Sequence, residues 1–253
     1  MTKVIIIPAR FESTRFPGKP LAKIRDKAMI EWVTESALKS KLADKVIVAT
    51  EDKRIQDFLK EKCPAVTVAM TSKEHKSGTD RICEVIKNNP DIKYIVNFQG
   101  DEPLMPPEYL DKVLSGLIKA ENYIVTLVAP LTNKEELNNP NIVKAVMDKD
   151  GFALYFSRSN IPYDRSQELT TNSQQLFYRH LGIYGYSRDT LLKFNLLPES
   201  PLEKTEQLEQ LRALENGIKI KLEIVEKAFP AVDTPEDIKI IESILLSKFA
   251  QSL

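Results

Sequence analysis

Positive charge is concentrated in one short segment near the start of the chain. The segment follows the apolar run Val4–Ile7, and in it Arg10, Arg15 and Lys19 accompany a single acidic residue, Glu12. Guanidinium forks and a lysine ammonium are well suited to phosphate oxygens. Neither the P-loop pattern nor GxGxxG is present, which disfavours a P-loop kinase and an ordinary NAD dehydrogenase. A solvated basic loop is the alternative, and the position after a first strand favours an anion site.

Asp101 is the first of two aspartates that could bind a metal ion. It directly follows a strand-like run, in Gly100-Asp101-Glu102-Pro103, and the carboxyl ends of parallel strands border the ligand cleft in such folds. Mg²⁺ prefers carboxylate oxygens combined with substrate phosphates. A turn aspartate beside Gly and Pro is the alternative. We expect Gly100 to leave room for the close approach of a ligand, which favours the metal site.

Asp233 is the second candidate. It precedes Thr234-Pro235-Glu236-Asp237, in which Thr234 suits a helix N-cap, Pro235 the first helical position and Asp237 a box-like cap. Asp233 would then lie one residue outside the helix, where its carboxylate is available to bind another group. The alternative is that Asp233 is itself the N-cap.

These residues must be positioned by a fold in which strands and helices alternate. The strand-like runs are rich in Val and Ile, and several are apolar without alternation, as strands buried on both faces should be. Alternation with helical segments predicts βαβ crossovers and a Rossmann-like α/β fold, with a mainly parallel sheet covered by helices on both faces. The predicted strands are Val4–Ile7, Val46–Ala49, Val66–Met70, Tyr94–Phe98, Ile124–Val128, Val143–Met147 and Ile218–Val225, and the predicted helices are Met29–Leu38, Arg54–Lys60, Asp80–Ile86 and Glu108–Leu117.

The pattern changes after Gly151. The segment 175–186 resembles a strand that interrupts the parallel order, and Leu202–Glu215 is predicted as one helix ended by Asn216-Gly217. Ile238, Ile241 and Leu245 are spaced to line one face of a last helix. We expect one domain over residues 1–253, with residues from about 151 to 200 forming an inserted lobe.

Composition excludes several classes of protein. Lys and Arg (36) balance Asp and Glu (36), whereas proteins that bind nucleic acid generally carry an excess of basic residues. Two cysteines without a CxxC motif and two histidines leave little material for a disulfide framework or a zinc site. No apolar run has the length of a signal peptide core or a membrane span. We expect a globular cytoplasmic protein without nucleic-acid or membrane partners, and expect His75, on a lysine-rich stretch, at the surface.

Several motifs occur together in the order found in one enzyme family. The segment from Pro8 to Leu21 resembles the signature loop of the sugar nucleotidyltransferases, and more narrowly that of the 3-deoxy-manno-octulosonate cytidylyltransferases, or CMP-Kdo synthetases. The resemblance covers nearly the whole chain; Tyr163 stands where Trp is expected and Ala231 where Gly is expected. The other matching motifs are Ser77–Arg81, Asn97–Pro103, Ala153–Arg158, Ile161–Arg165, His180–Tyr186, Leu208–Arg212 and Val232–Asp237.

The resemblance implies a nucleotide-diphospho-sugar transferase-like fold and the reaction of CTP with Kdo to give CMP-Kdo and pyrophosphate, a step of lipopolysaccharide biosynthesis. It implies that Arg10, Lys19, Asp101 and Asp233 are catalytic, and that both aspartates hold Mg²⁺, with a second Mg²⁺ held mostly by the triphosphate. Alone, Arg81 would be taken as a solvated residue of a first helical turn. The nucleotide contacts that the resemblance implies are Arg10, Ser13, Arg15, Lys19, Arg81 and Gln99, where Gln99 could meet a cytosine edge or a sugar hydroxyl.

A sugar acid needs a cation for its carboxylate and acceptors for its hydroxyls. His180 and Tyr184 lie four apart on a predicted strand and so share a face, although a lone strand histidine is more often a hydrogen-bonded core residue. The resemblance makes both of them sugar ligands, within the set Arg158, Arg165, His180, Tyr184, Glu209 and Gln210.

The resemblance also implies a homodimer, with the aromatic-rich region after Gly151 as its interface. Two alternatives remain open. One is a cytidylyltransferase for an 8-amino Kdo analogue or another sugar acid, which the departure at Tyr163 keeps open. The other is a non-catalytic nucleotide-binding regulator, which predicts loss of the metal carboxylates or of the loop lysine, and these residues are present.

Overall fold

The computed structural model describes residues 2–12, 16–119, 122–131, 133–165 and 177–251, with the side chains of 248–251 excepted. Its residues fall into two compact units. Residues 1–114 and 229–253 form the first unit, and residues 115–228 form the second. The segment expected as an inserted lobe lies within the second unit.

The first unit is built on parallel strands in the order β6-β1-β4-β5. Ile5 of β1 is paired with Val46 of β4 on one side and Val96 of β6 on the other. Val4–Ile7 have no exposed surface, as expected for a strand buried on both faces. The strands are β1 (Thr2–Pro8), β4 (Lys45–Thr50), β5 (Thr67–Met70) and β6 (Ile92–Asn97), with a small antiparallel pair formed by β2 (Lys23–Ile24) and β3 (Lys27–Ala28).

Helices connect these strands, and their bounds agree with the predicted segments to within a few residues. A short 3₁₀ helix, Lys19–Leu21, ends the basic segment. The α-helices of the first unit are α1 (Met29–Leu38), α2 (Lys53–Lys62), α3 (Gly78–Lys87) and α9 (Asp237–Gln251), and α4 (Pro107–Lys119) runs on into the second unit.

The second unit has a mixed sheet. Strand β7 (Ile124–Pro130) pairs in parallel with β11 (Ile220–Ile224) and antiparallel with β10 (Tyr178–Ser187), so the predicted interruption of the parallel order is confirmed. Strand β8 (Lys144–Met147) pairs antiparallel with β10 and with β9 (Ala153–Ser157). The helices are α5 (Lys134–Asn138), α6 (Arg188–Asn195), α7 (Pro201–Glu206) and α8 (Leu211–Glu215).

The single helix predicted over Leu202–Glu215 is wrong. Gln207 adopts a left-handed conformation, with φ 52° and ψ 50°, and ends α7. The break lets Arg212 of α8 turn back to the buried Glu203 of α7, with Nε donating to Oε2 at 2.8 Å. The predicted end is confirmed, since Gly217 has φ 72° and the N–H of Ile218 donates to the Ala213 carbonyl at 2.9 Å.

The last helix packs with the face predicted from its spacing. Ile241 and Leu245 are buried and Ile238 is partly buried, in a cluster that includes Met29 and Val232. This packing fixes the segment that carries Val232 and Asp233. Among the described residues, no helix combines the length and apolarity needed to cross a membrane.

Candidate active site

An open cavity of about 420 Å³ lies where strands β1 and β6 end. Its walls come from the basic segment after β1, the start of α3 and the residues after β6, as expected for ligand sites at the carboxyl ends of parallel strands. The lining residues are Pro8, Ala9, Arg10, Glu12, Lys19, Pro20, Gly78, Gln99, Gly100 and Asp101. The structure thus brings together Arg10, Lys19, Gln99 and Asp101.

Gly100 is required by a neighbouring strand. A Cβ atom at this position would lie 3.1 Å from the carbonyl oxygen of Pro8, so a side chain would press against the β1 backbone. The absence of a side chain at Gly100 therefore lets the residues after β6 pass close to β1, and Gly100 also lines the cavity.

Lys19 joins the two sides of the cavity. Its Nζ donates to Oδ2 of Asp101 at 2.6 Å and to the carbonyl of Val232 at 2.7 Å. The Lys19 and Asp101 side chains are 18% and 28% exposed, so a ligand in the cavity can reach both. The N–H of Val232 also donates to the Asp101 carbonyl at 2.9 Å, which ties the Val232–Asp233 segment to Asp101.

The basic segment is anchored through Phe11. The N–H of Gly18 donates to the Phe11 carbonyl at 2.8 Å, closing the segment on itself. Gly18 has φ 72°, and a Cβ atom there would lie 3.2 Å from the Phe11 ring. The Arg54 guanidinium lies 3.3 Å from the centroid of that ring, and an Arg–aromatic contact of this kind is attractive.

Arg10 is oriented by the segment that precedes α3. Its Nη2 donates to the carbonyl of His75 at 2.6 Å, and the His75 ring contacts the Glu84 carboxylate. The backbone N–H of Ser72 and then the His75 ring lower the pKa of Glu84. The His75 side chain is 21% exposed, so His75 is a partly exposed residue held by Glu84.

Arg81 is buried, with 1% of its side chain exposed. Its Nη2 lies 2.6 Å from Oε2 of Glu51, and its Nη1 donates to the Thr71 hydroxyl. Desolvation lowers the pKa of Arg81 against the opposing effect of Glu51. Its Nε is buried and meets no acceptor among the described residues.

The cap predicted before the last helix is present in part: Asp237 closes on Thr234, but α9 begins at Asp237, so Pro235 precedes the helix. The carboxylate of Asp237 accepts the N–H groups of Asp233 and Thr234 at 2.9 and 2.8 Å, and the Thr234 hydroxyl at 3.1 Å. Desolvation raises the pKa of Asp237, but these bonds and the Lys19 charge together lower it. Asp233 contributes its backbone to this cap, and its residue is exposed.

The chemistry of Asp101 and Asp233 fits a divalent cation. Asp101 already faces the ammonium of Lys19. The Val232 N–H donates to the Asp101 carbonyl, and Asp233 is the residue that follows Val232. Mg²⁺ needs only one or two carboxylates when a nucleotide supplies further oxygens. In the described parts of the chain, no group of three or more His, Cys, Asp or Glu side chains is arranged for a metal ion.

Two predicted nucleotide contacts, Ser13 and Arg15, lie outside the described residues. Gln99 is described, and its amide donates to Oδ1 of Asn97 at 3.0 Å. This hydrogen bond fixes the Gln99 side chain beside the cavity wall, so its amide is oriented before a ligand binds.

The predicted sugar residues lie in the second unit. The Arg158 guanidinium is held by backbone carbonyls, with Nε donating to Glu206 at 2.8 Å and Nη1 to Pro140 at 3.1 Å. The Glu206 carboxylate also accepts the Arg158 N–H at 3.0 Å and the Ser157 hydroxyl at 2.6 Å. Arg158 is therefore rigidly placed, while Arg165 is exposed.

His180 and Tyr184 share a face of β10, as predicted. Their ring centroids are 5.4 Å apart, and the Phe156 ring meets His180 edge-on at 5.0 Å. An irregularity between Leu181 and Tyr184 places His180 opposite Val128 and Tyr184 opposite Thr126. His180 Nε2 lies 3.0 Å from the Thr126 hydroxyl, and desolvation lowers the pKa of His180 to about 3, so this imidazole is neutral at physiological pH.

Glu209 and Gln210 lie in the turn between α7 and α8, because the predicted single helix is broken there. Gln210 is 5% exposed. Its amide nitrogen is buried and meets no acceptor in the part of the chain that the structure describes. A buried donor of this kind is costly unless a partner binds it.

Two residues near these sites were missed from the sequence. Glu51 directly follows β4, so the rule that selected Asp101 would have found it. Lys144 is fully buried on β8, and its Nζ donates to the carbonyls of Asn139, Ile142 and Arg158 at 3.0, 2.8 and 2.6 Å. Desolvation lowers the pKa of Lys144. The only sign of its burial in the sequence is its position within the otherwise apolar run Val143–Met147.

Comparison with known proteins adds a family to this geometry. The sequence profile of the cytidylyltransferase family matches residues 4–220. The 3-deoxy-manno-octulosonate cytidylyltransferase of Thermodesulfovibrio yellowstonii is 46% identical over 253 aligned residues, covering 97% of this chain and 98% of that protein. The enzyme of the same name from Leptospira interrogans is 47% identical, covering 95% of each chain.

Solved structures agree with the sequence relatives. A CMP:2-keto-3-deoxy-manno-octonic acid synthetase complexed with CTP superposes with a TM-score of 0.90, at 38% identity and over all of both chains. A 4-diphosphocytidyl-2C-methyl-D-erythritol synthase reaches a TM-score of 0.63 at 13% identity, a likeness that concerns the fold alone.

Proposed function

Because this chain belongs to the 3-deoxy-manno-octulosonate cytidylyltransferase family, we propose that it transfers CMP from CTP to the anomeric hydroxyl of 3-deoxy-D-manno-octulosonate (Kdo), releasing pyrophosphate. The observation that carries the proposal is the cavity where Arg10, Lys19 and Asp101 converge. Two cations and a carboxylate in one cleft are suited to a triphosphate and its metal ion.

The reaction is an in-line displacement at the α-phosphorus. The sugar hydroxyl attacks, and the bond to the bridging oxygen of pyrophosphate breaks. Negative charge grows on the phosphate oxygens, so positioning and electrostatic stabilisation carry most of the catalysis. Lys19 and Arg10 are placed to supply positive charge, and Ser13 and Arg15 are proposed to contact the same phosphates.

Mg²⁺ is the proposed metal ion, with Asp101 and Asp233 as its carboxylate ligands. When bound, it supplies charge neutralisation and lowers the pKa of a coordinated hydroxyl. Lys19 must leave the Asp101 carboxylate to reach a phosphate, and the Val232 carbonyl gives its ammonium a second acceptor during that movement. Arg10 similarly exchanges the His75 carbonyl for a phosphate oxygen.

Gln99 and Arg81 are proposed to contact the nucleoside. Gln99 lines the cavity, where its amide can meet a cytosine edge or a hydroxyl. The buried Arg81 Nε lacks an acceptor among the described residues, and a ligand oxygen would satisfy it.

Kdo is proposed to bind the set Arg158, Arg165, His180, Tyr184, Glu209 and Gln210. The buried amide nitrogen of Gln210 meets no acceptor among the described residues. This supports the proposal, because a sugar hydroxyl can accept its hydrogen bond. The neutral imidazole of His180 can exchange hydrogen bonds with hydroxyl groups without adding charge.

We also propose a homodimer formed through the region after Gly151. Leu154 and Tyr163 are 62% and 77% exposed, and exposed apolar and aromatic side chains are typical of interface cores. Light scattering after size exclusion should give twice the 28.8 kDa mass of one chain. A 28.8 kDa species alone at micromolar concentration would contradict the dimer.

The test of the proposed function is pyrophosphate release with CTP, Mg²⁺ and a panel of sugar acids. Kdo should give the highest kcat/KM, and ATP or GTP in place of CTP should give far lower values. A higher kcat/KM with an 8-amino Kdo analogue or a sialic acid would reassign the sugar. With Kdo as substrate, the product would serve lipopolysaccharide biosynthesis, and we propose the cytoplasm as the place of the reaction.

A further inference from the structure

Glu51 contacts both walls of the candidate active-site cavity. It follows β4 directly, and its Oε1 accepts the N–H of Phe11 at 3.3 Å. Phe11 lies between Arg10 and Glu12, which line one wall. The Oε2 atom of Glu51 lies 2.6 Å from Arg81. Arg81 belongs to helix α3, whose first residue, Gly78, lines the other wall.

Burial makes this arrangement rigid. The side chains of Glu51 and Arg81 are 9% and 1% exposed, and Thr71 accepts a further hydrogen bond from the guanidinium. Removing one member of a buried ion pair leaves an uncompensated charge. Arg81 is therefore held in one orientation, and its Nε donates to no acceptor among the described residues.

A second link between the same walls is of a different kind. Arg10 donates to the His75 carbonyl, but this link uses the guanidinium that must turn to the phosphates. The Glu51 link uses a backbone N–H and a buried guanidinium, so it can persist while CTP is bound.

We propose that Glu51 is a positioning residue for the nucleotide: it fixes the Arg10–Phe11 backbone against Arg81 and so sets the cleft before CTP binds. A preformed cleft binds more tightly because less ordering is needed on association. The inference rests on the proposed function in that the nucleotide is CTP.

The first test is Glu51→Gln, which keeps an acceptor for the Phe11 N–H but removes the charge that faces Arg81. The Kd for CTP, measured by titration calorimetry without sugar, should rise about tenfold, because displaced binding groups lose much of their effect. The KM for CTP should rise in parallel, whereas the KM for Kdo should change less than about threefold.

The matched control is Glu203→Gln, which removes the carboxylate charge from a comparable ion pair. Glu203 and Arg212 are 11% and 14% exposed, and neither lines the cavity. This variant should lose thermal stability as Glu51→Gln does, and keep the wild-type Kd for CTP. Weaker CTP binding in Glu203→Gln, in proportion to its loss of stability, would overturn the positioning role.

A double variant tests whether Glu51 acts through Arg81. Arg81→Met should weaken CTP binding, and Glu51→Gln on that background should weaken it no further, since the partner is already absent. Fully additive losses would contradict the proposal.

Glu51→Asp is the second variant if Glu51→Gln does not fold. It keeps the charge and shortens the reach by one methylene, so the Kd for CTP should rise severalfold. If whichever Glu51 variant folds binds CTP with wild-type affinity, the positioning role of Glu51 is overturned and the proposed function is not. Absence of pyrophosphate release by the wild-type protein with CTP and Kdo contradicts the proposed function instead.

Discussion

The ammonium of Lys19 lies 2.6 Å from Oδ2 of Asp101, so the cation proposed to bind phosphate is paired with the carboxylate proposed to bind the metal ion. The ammonium and a divalent metal ion would repel each other if both lay at this carboxylate. Release of Lys19 toward the triphosphate and binding of Mg²⁺ at Asp101 should therefore favour each other.

Replacing Lys19 with Ala should lower kcat more than it raises the KM for CTP. Charge on the phosphate oxygens grows in the transition state, so a cation there stabilises the transition state more than the bound substrate. Loss of one such contact typically lowers the rate by about 10²–10³-fold. Steady-state kinetics with Kdo measure both constants, and activity within a few-fold of wild type would contradict a catalytic role for Lys19.

Lys19→Met should bind Mn²⁺ more tightly than the wild-type protein when nucleotide is absent. The variant removes the ammonium that competes for Asp101, and electron paramagnetic resonance measures free Mn²⁺ directly. Asp101→Asn is the control, since it should bind Mn²⁺ weakly with or without Lys19. Unchanged Mn²⁺ affinity in Lys19→Met would show that Lys19 does not compete with the metal ion for Asp101.

Asp233→Asn should lose most of its activity and keep its thermal stability. The Asp233 contact with the cap is a backbone N–H, which asparagine retains, whereas an amide lacks the charge that attracts Mg²⁺. Thr234→Ala should do the reverse, because it removes a hydroxyl bond to Asp237 worth about 1 kcal/mol. An active Asp233→Asn with unchanged Mg²⁺ dependence would remove Asp233 from the metal site.

His180 should make the protein less stable in acid. Its pKa falls from 6.5 to about 3 on folding, so the unfolded chain takes up a proton between those values and the folded chain does not. The stability that neutral His180 permits is full above pH 6.5 and is lost as the pH falls, by up to about 1.4 kcal/mol per unit. Denaturant unfolding of wild type and His180→Gln from pH 7.5 to 4.5 measures this. Parallel pH dependences in the two proteins would contradict an imidazole that stays neutral in the folded protein.

The sequence predicted the elements whose signals are local. Val4–Ile7 reads as a fully buried strand, and Asn216-Gly217 ends a helix because glycine accepts the left-handed conformation. Arg10, Lys19 and Asp101 could be placed at one cleft because they follow strands of a parallel sheet or lie in the loop after one.

The parts that were missed depend on distant partners. Gln207 ends α7 in the left-handed conformation, and the Arg212–Glu203 contact joins residues from the two sides of that break. No turn residue marks that position in the sequence. Lys144 is satisfied by backbone carbonyls, which any residue carries, so its partners leave no trace in the sequence. Glu51 differs from Lys144, because its position directly after a strand could be predicted from the sequence. Only its partners could not.

The Val232 carbonyl that accepts Lys19 is separated from it by 213 residues. At translation rates of about 5–20 residues per second, roughly ten to forty seconds pass between the synthesis of the two residues. Throughout that interval the nascent chain carries the basic segment without this partner, although the parallel strands around it are already made. The contact between Lys19 and the Val232 carbonyl can therefore form only after residue 232 has been made, and a chain that ends before residue 232 lacks this link across the candidate cleft.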